Sequence, residues 1–143
     1  MTKEEFEQLV GEEFEWAIPA KFRPHIKNVA FLVDDEPSAE VRKVEGLQED
    51  ETLLGYYHGV PTPARGDWYG MGTTMPDTIT LFQTPIEAEA AELEHSNILQ
   101  NDRMTFEDCV RKVIRDTIWH EVAHHFGMDE SEVRRREDDR DNV

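Results

Sequence analysis

Near its C-terminal end the chain reads His120-Glu121-Val122-Ala123-His124-His125-Phe126-Gly127-Met128-Asp129-Glu130. Histidines four positions apart on a helix project from one face, so His120 and His124 can hold one metal ion between them. Glu121 is turned about 100° from His120, which sets its carboxylate beside the metal rather than among the ligands. There it can take a proton from a water that the metal polarises. Gly127 lets the chain reverse, and Glu130 can swing back as a third ligand. Two neutral imidazoles and one carboxylate leave a zinc ion with one net positive charge, a Lewis acid still able to bring the pKa of water down to about 7. Three protein ligands also leave a fourth position open, as catalytic rather than structural zinc sites do. The expectation is one Zn2+ per chain.

Such a site needs a helix beneath it, and the sequence supplies one. Thr105-Phe106-Glu107-Asp108 is a capping box, and Phe106, Val110, Ile114, Ile118 and Val122 step by four along one face until Gly127 offers a left-handed stop. A second capping box, Thr2-Lys3-Glu4-Glu5, opens a helix whose stripe is Phe6, Leu9, Val10, Phe14 and Ala17, and which must end before Pro19. Residues 29–33 are short, β-rich and apolar, which predicts a strand buried from both sides, followed by an acidic loop over 34–51. Further strands are predicted over 53–59 and 78–84, separated by a Pro- and Gly-rich loop of the length that is usually functional. Thr84-Pro85-Ile86-Glu87 looks like a helix start with proline in the first turn. A short charged helix is expected over 131–138, with 139–143 frayed. The sum is an α+β chain, one domain over 1–143, with a small mixed sheet of three to four strands packed on helices.

Composition removes several classes. The 143 residues carry 15 Lys+Arg against 32 Asp+Glu, a formal charge of −17. Such a surface repels phosphate backbones, so no nucleic-acid partner is expected. No apolar run approaches the roughly 20 residues of a membrane helix, and the first residues carry no secretory pattern. One cysteine, Cys109, excludes an internal disulfide and fits a reducing, cytoplasmic compartment. It lies eleven residues before His120, too far down the helix to be a ligand, and reads as an inert buried thiol.

His120-Glu121-Val122-Ala123-His124-His125-Phe126-Gly127-Met128-Asp129-Glu130, Leu54-Gly55-Tyr56-Tyr57-His58-Gly59-Val60-Pro61 and Asp77-Thr78-Ile79-Thr80-Leu81-Phe82-Gln83-Thr84-Pro85 together resemble the small single-domain bacterial zincin-like metallopeptidases, in the family's order. The HExxHxxG element marks zincins generally; the other two segments point to this branch. The resemblance implies a minimal zincin fold and peptide-bond hydrolysis. His120 and His124 would be zinc ligands, Glu121 the general base and Glu130 the third ligand, with Asp129 beside it as the substitute. Members often carry aspartate at that third position. The strand over 78–84 would be the sheet edge against which an extended peptide lies, so Thr80, Leu81 and Phe82 are candidate substrate-binding residues. The stretch 87–103 is longer than the family pattern, as a local insertion would be.

Other residues carry less. His125 points about 100° away from His124 and reads as a packing or outer-shell residue. Tyr56 and Tyr57 alternate across their strand, so one of them faces the cleft; a hydroxyl for the oxyanion could come from either, or from Tyr69, and Tyr57 is kept as a candidate. Trp68 and Tyr69 either line a groove or close over the core. Three functions compete. The first is a zinc peptidase acting on a peptide or flexible protein segment. The second is a non-catalytic metal-stabilised module that binds a partner protein. The third is a non-haem iron oxygenase, since two histidines and a carboxylate also form that facial triad. Zinc is preferred because both histidines and the adjacent acid share one helix, which suits water activation.

Overall fold

A computed structural model describes residues 1–26, 28–59, 76–101, 103–128 and 130–141, with only the backbone described at His25 and Glu130. In chain order the elements are α1 (Lys3–Ala17), a single 3-10 turn (Arg23–His25), β1 (Val29–Asp34), α2 (Ala39–Val44), β2 (Gly55–His58), β3 (Asp77–Phe82), α3 (Gln83–Leu99), α4 (Phe106–His125) and α5 (Glu130–Asp141). The arrangement is α+β, as the sequence predicts.

Both predicted capping boxes form. Glu5 and Asp108 donate backbone N–H groups to the Thr2 and Thr105 hydroxyls, and their carboxylates accept from the threonine N–H groups in return. The stripe on α1 is buried at Phe6, Leu9, Val10 and Ala17. On α4 the buried positions are Cys109, Val110, Val113, Ile114, Thr117, Ile118, Trp119, Val122 and Ala123, more than half a turn in width, because this helix is packed on several sides. It lies against α1, α3, α5 and the strands β2 and β3, and so forms the axis of the core. Among the described residues no helix is long and apolar enough to cross a membrane.

The sheet has the order β1-β3-β2, with β1 parallel and β2 antiparallel to β3. Three sequence-based expectations are corrected by it. First, β1 is an edge strand, with Phe31 and Leu32 exposed, rather than a strand buried on both sides. Its apolar run is covered in part by α1, where Phe14 and Phe31 meet at 5.5 Å between ring centroids. Second, residues 34–51 are not all loop. Ser38 accepts from the backbone of Val41 and caps the short helix α2. Third, β3 is the central strand rather than an edge. Thr80, Leu81 and Phe82 pair with Leu32, Val33 and Asp34 on one side, and Thr80 and Leu81 with Tyr56 and Gly55 on the other. The Leu81 and Phe82 side chains are buried in the core and Thr80 is half-buried, so this strand has no open backbone to offer a peptide.

Candidate metal centre

The last turn of α4 ends in a Schellman reversal. Gly127 sits at φ +82°, with its N–H donating to the His124 carbonyl, while Met128 N–H reaches back to Ala123 O. The reversal sends α5 back along α4, where three contacts dock it. The Trp119 indole N–H donates to Val133 O at 3.1 Å, His120 meets Glu137, and Arg140 binds Asp116 at 2.7 Å and Ala17 O at 3.2 Å. Val133 is fully buried, the single apolar side chain on a helix whose other residues are charged apart from Ser131.

On this frame His120 and His124 share one face of α4, with ring centroids 6.4 Å apart and the rings perpendicular. Two imidazoles on one tetrahedral zinc, at the usual Zn–N distance of about 2.1 Å, would have centroids about 5 Å apart. The His124 Nδ1 lies 3.2 Å from Met128 O. A carbonyl can only accept, so this contact keeps the hydrogen on Nδ1 and the lone pair of the neutral ring on Nε2, the carbonyl-oriented arrangement of metal-bound histidines. The two imidazoles with a nearby carboxylate therefore suit zinc.

Glu121 faces a cleft of about 490 Å³ that His120, His124, Thr117, Val113, Leu93 and Gly55 help to line. Burial pushes its carboxyl up to about 7; Glu45 raises it further, and the two histidines oppose the rise. A divalent cation at those histidines would add to that opposition and favour the carboxylate. Gly55 of β2 lets the strand cross α4 at close range. A Cβ there would stand 2.7 Å from Thr117 Cγ2 and 3.6 Å from Glu121 Cγ. The Thr117 hydroxyl, one helical turn before Glu121, is buried with no hydrogen-bond partner among the described residues.

Asp129 lies outside the described residues, as do the Glu130 side chain and residues 60–75 with Trp68 and Tyr69. The Tyr57 hydroxyl donates to Asp77 at 2.6 Å and its ring stacks on His125, centroids 4.0 Å apart. His125 thus packs on β2, away from the face that carries His120 and His124. Cys109 is buried against Asn97, whose Nδ2 is 3.8 Å from its sulfur.

Sequence reasoning missed Glu137. Its Oε2 is 2.7 Å from His120 Nε2, and it is mostly buried. A signal existed: Val133 is the lone apolar residue in that run and fixes which face of α5 is inward, and Glu137 follows it by one turn. Glu137 also belongs to a group with Asp116 and Asp141 whose carboxylate oxygens lie within 4.8 Å of one another, all among the described residues. Arg140 binds both aspartates and Lys112 binds Asp116, which balances that charge.

A helix-borne histidine pair with an adjacent buried acid, set against a small mixed sheet, defines a zincin-type metal protein. The sequence profile of the zincin-like metallopeptidase family matches residues 26–140, and the chain belongs to that family. No curated protein matches it closely enough to add to this.

Proposed function

We propose that the chain is a zinc-dependent peptidase that cleaves a peptide or flexible protein segment lying in the cleft beside α4. The observation that carries this reading is the placement of Glu121: a buried carboxylate facing the cleft, one residue from His120, on the helix face next to the histidine pair. His120 and His124 hold the metal, and Glu130, or Asp129 in its place, completes the ligand set from the turn after Gly127. The metal, when bound, supplies Lewis acidity toward the attacking water and the scissile carbonyl. Glu121 accepts the proton from that water and returns it to the leaving amine, a role that suits a carboxylate facing the cleft beside the histidine pair. His124 is kept in the ligating tautomer by Met128 O. With β3 paired on both sides, the substrate backbone is assigned to β2, whose far edge pairs with no strand among the described residues and which borders the cleft at Gly55.

Glu121→Gln keeps the size of the side chain and removes its basicity. Purified wild type is expected to carry one zinc per chain by metal analysis and to cut members of a broad peptide library. The variant should carry the same zinc and cut none, a rate loss of about 1,000-fold or more. Iron in place of zinc would favour oxygenase chemistry. A wild type that binds metal, cuts nothing and captures a partner equally well with or without Glu121 would make the fold a binding module.

A further inference from the structure

The cleft beside Glu121 continues along α4 away from the histidine pair, past Thr117 to Val113, about 12 Å of helix. Its lining there is largely apolar. Leu53 and Leu54 lead into β2, Leu93 comes from α3 and Val113 from α4. Glu89 lines the same cleft one helical turn before Leu93. Its carboxylate is exposed and meets no cation among the described residues. The helix that carries it cannot supply one, since α3 holds Glu87, Glu89, Glu92 and Glu94 but neither lysine nor arginine. Lys112 is the lysine on the described lining, and its Nζ is taken by Asp116 at 3.0 Å. Asp116 is bound by Arg140 as well. The acids of the cleft are thus balanced at Asp116 and unbalanced at Glu89.

A chain of methylenes ending in an ammonium or guanidinium matches both features. The stem takes Leu93 and Val113 out of water, while the tip stays near solvent and meets Glu89. An anionic tip would face Glu89 and Glu121, and a wholly apolar one would leave Glu89 unmatched. We propose that this part of the cleft is a specificity pocket for a lysine or arginine side chain beside the bond to be cut, with Glu89 selecting the charge. The inference rests on the peptidase reading above and names its substrate class.

Two measurements test it. In the first, zinc-loaded wild type digests a peptide library, and Lys or Arg is expected at one fixed position beside the cut. In the second, zinc-loaded Glu121→Gln is titrated with end-blocked, dye-labelled peptides that differ only in a central Lys, Arg or Met. The Lys and Arg peptides are expected to bind about tenfold tighter than the Met peptide, as a hydrogen bond between charged groups allows. Adding Glu89→Gln to that background should abolish the difference. Adding Glu92→Gln, on the same helix but outside the cleft lining, should leave it in place. Equal binding of the Lys and Met peptides overturns the inference. So does a preference that survives Glu89→Gln, or one that Glu92→Gln removes as fully, which would assign it to the overall negative charge. Cuts with no Lys or Arg at a fixed position overturn it and leave the peptidase reading standing. Cuts at a constant distance from the peptide N-terminus, whatever the sequence, also overturn it, because the cleft would then be holding an α-amine. Glu89-dependent binding of Lys and Arg peptides that wild type never cuts keeps the pocket and ends the peptidase reading.

Discussion

Glu121 has two duties that pull against each other. As a proton acceptor it needs proximity to the cleft and low solvation, and low solvation makes its charged form costly in the metal-free fold. Its carboxyl rises from an ordinary 4.5 to about 7, chiefly through burial. The linkage sign follows. An acid whose folded pKa is raised favours the native state fully below pH 4.5, and that contribution is lost as pH rises through about 7. Without metal, wild type should therefore lose about 2–3 kcal/mol between pH 5 and 8 that Glu121→Gln does not lose. Urea titrations of both proteins at the two pH values measure this difference. Parallel losses in the two would mean that Glu121 is better solvated than its burial implies. Added zinc should shrink the gap, because a cation beside the carboxylate favours the charged form. Glu121 and the histidine pair were legible in the sequence because all three sit within one helical turn, where spacing alone sets direction. Glu137 was not. Its contact with His120 depends on how two helices dock, which no local spacing marks.

Elements with local end signals were the ones the sequence revealed. Thr2 with Glu5 and Thr105 with Asp108 announce α1 and α4 through groups three residues apart, and both caps form as written. Sheet order carries no such local mark. The residues of β3 look like any β-rich run, and only the pairing of β1 and β2 on either side shows that it is central. The helix α2 was hidden by its acidic surroundings although Ser38 stood at its cap. The turn between α4 and α5 shows how one backbone angle serves the site. Gly127 sits at φ +82°, and a Cβ added there would meet no described atom within 4 Å, so its requirement is purely conformational. Gly127→Ala is expected to cost about 1–2 kcal/mol, the penalty of placing an L-residue in the left-handed region. Because the same turn aims Val133 and Glu137 at α4, that variant should also loosen the docking of α5. The expected signature is faster amide exchange in residues 130–141 than in α1. Unchanged stability and exchange would mean that the contacts of Trp119 and Arg140, rather than the turn, set the position of α5.

Charge is the property that belongs to the molecule as a whole. A net −17 on 143 residues makes self-repulsion a standing cost of the compact state. Specific pairs offset part of it. Arg111 lies 2.8 Å from Glu12 and Arg115 3.0 Å from Glu13, joining α4 to α1, while Arg140 joins α5 to Asp116. The first two pairs are partly exposed and each contributes at most about 1 kcal/mol. Salt screens both kinds of interaction, so the sign of its effect decides which dominates. The repulsion comes from the excess of 32 acids over 15 basic residues and acts over longer distances than the ion pairs, so with a Debye length of about 10 Å at 0.1 M it is screened most completely. The short ion pairs are screened least. The melting temperature of the metal-free protein should therefore rise between about 0.02 and 0.3 M sodium chloride. Zinc should raise it further at fixed ionic strength, by about 2.7 kcal/mol of stability at a hundredfold excess over its dissociation constant. Magnesium at the same concentration should reproduce only the screening part, since a hard cation has little use for two imidazoles. A melting temperature that falls with salt would place the stability of the docked helices in their ion pairs. Equal shifts from zinc and magnesium would mean that the acidic surface, and not the histidine face of α4, is where divalent ions act.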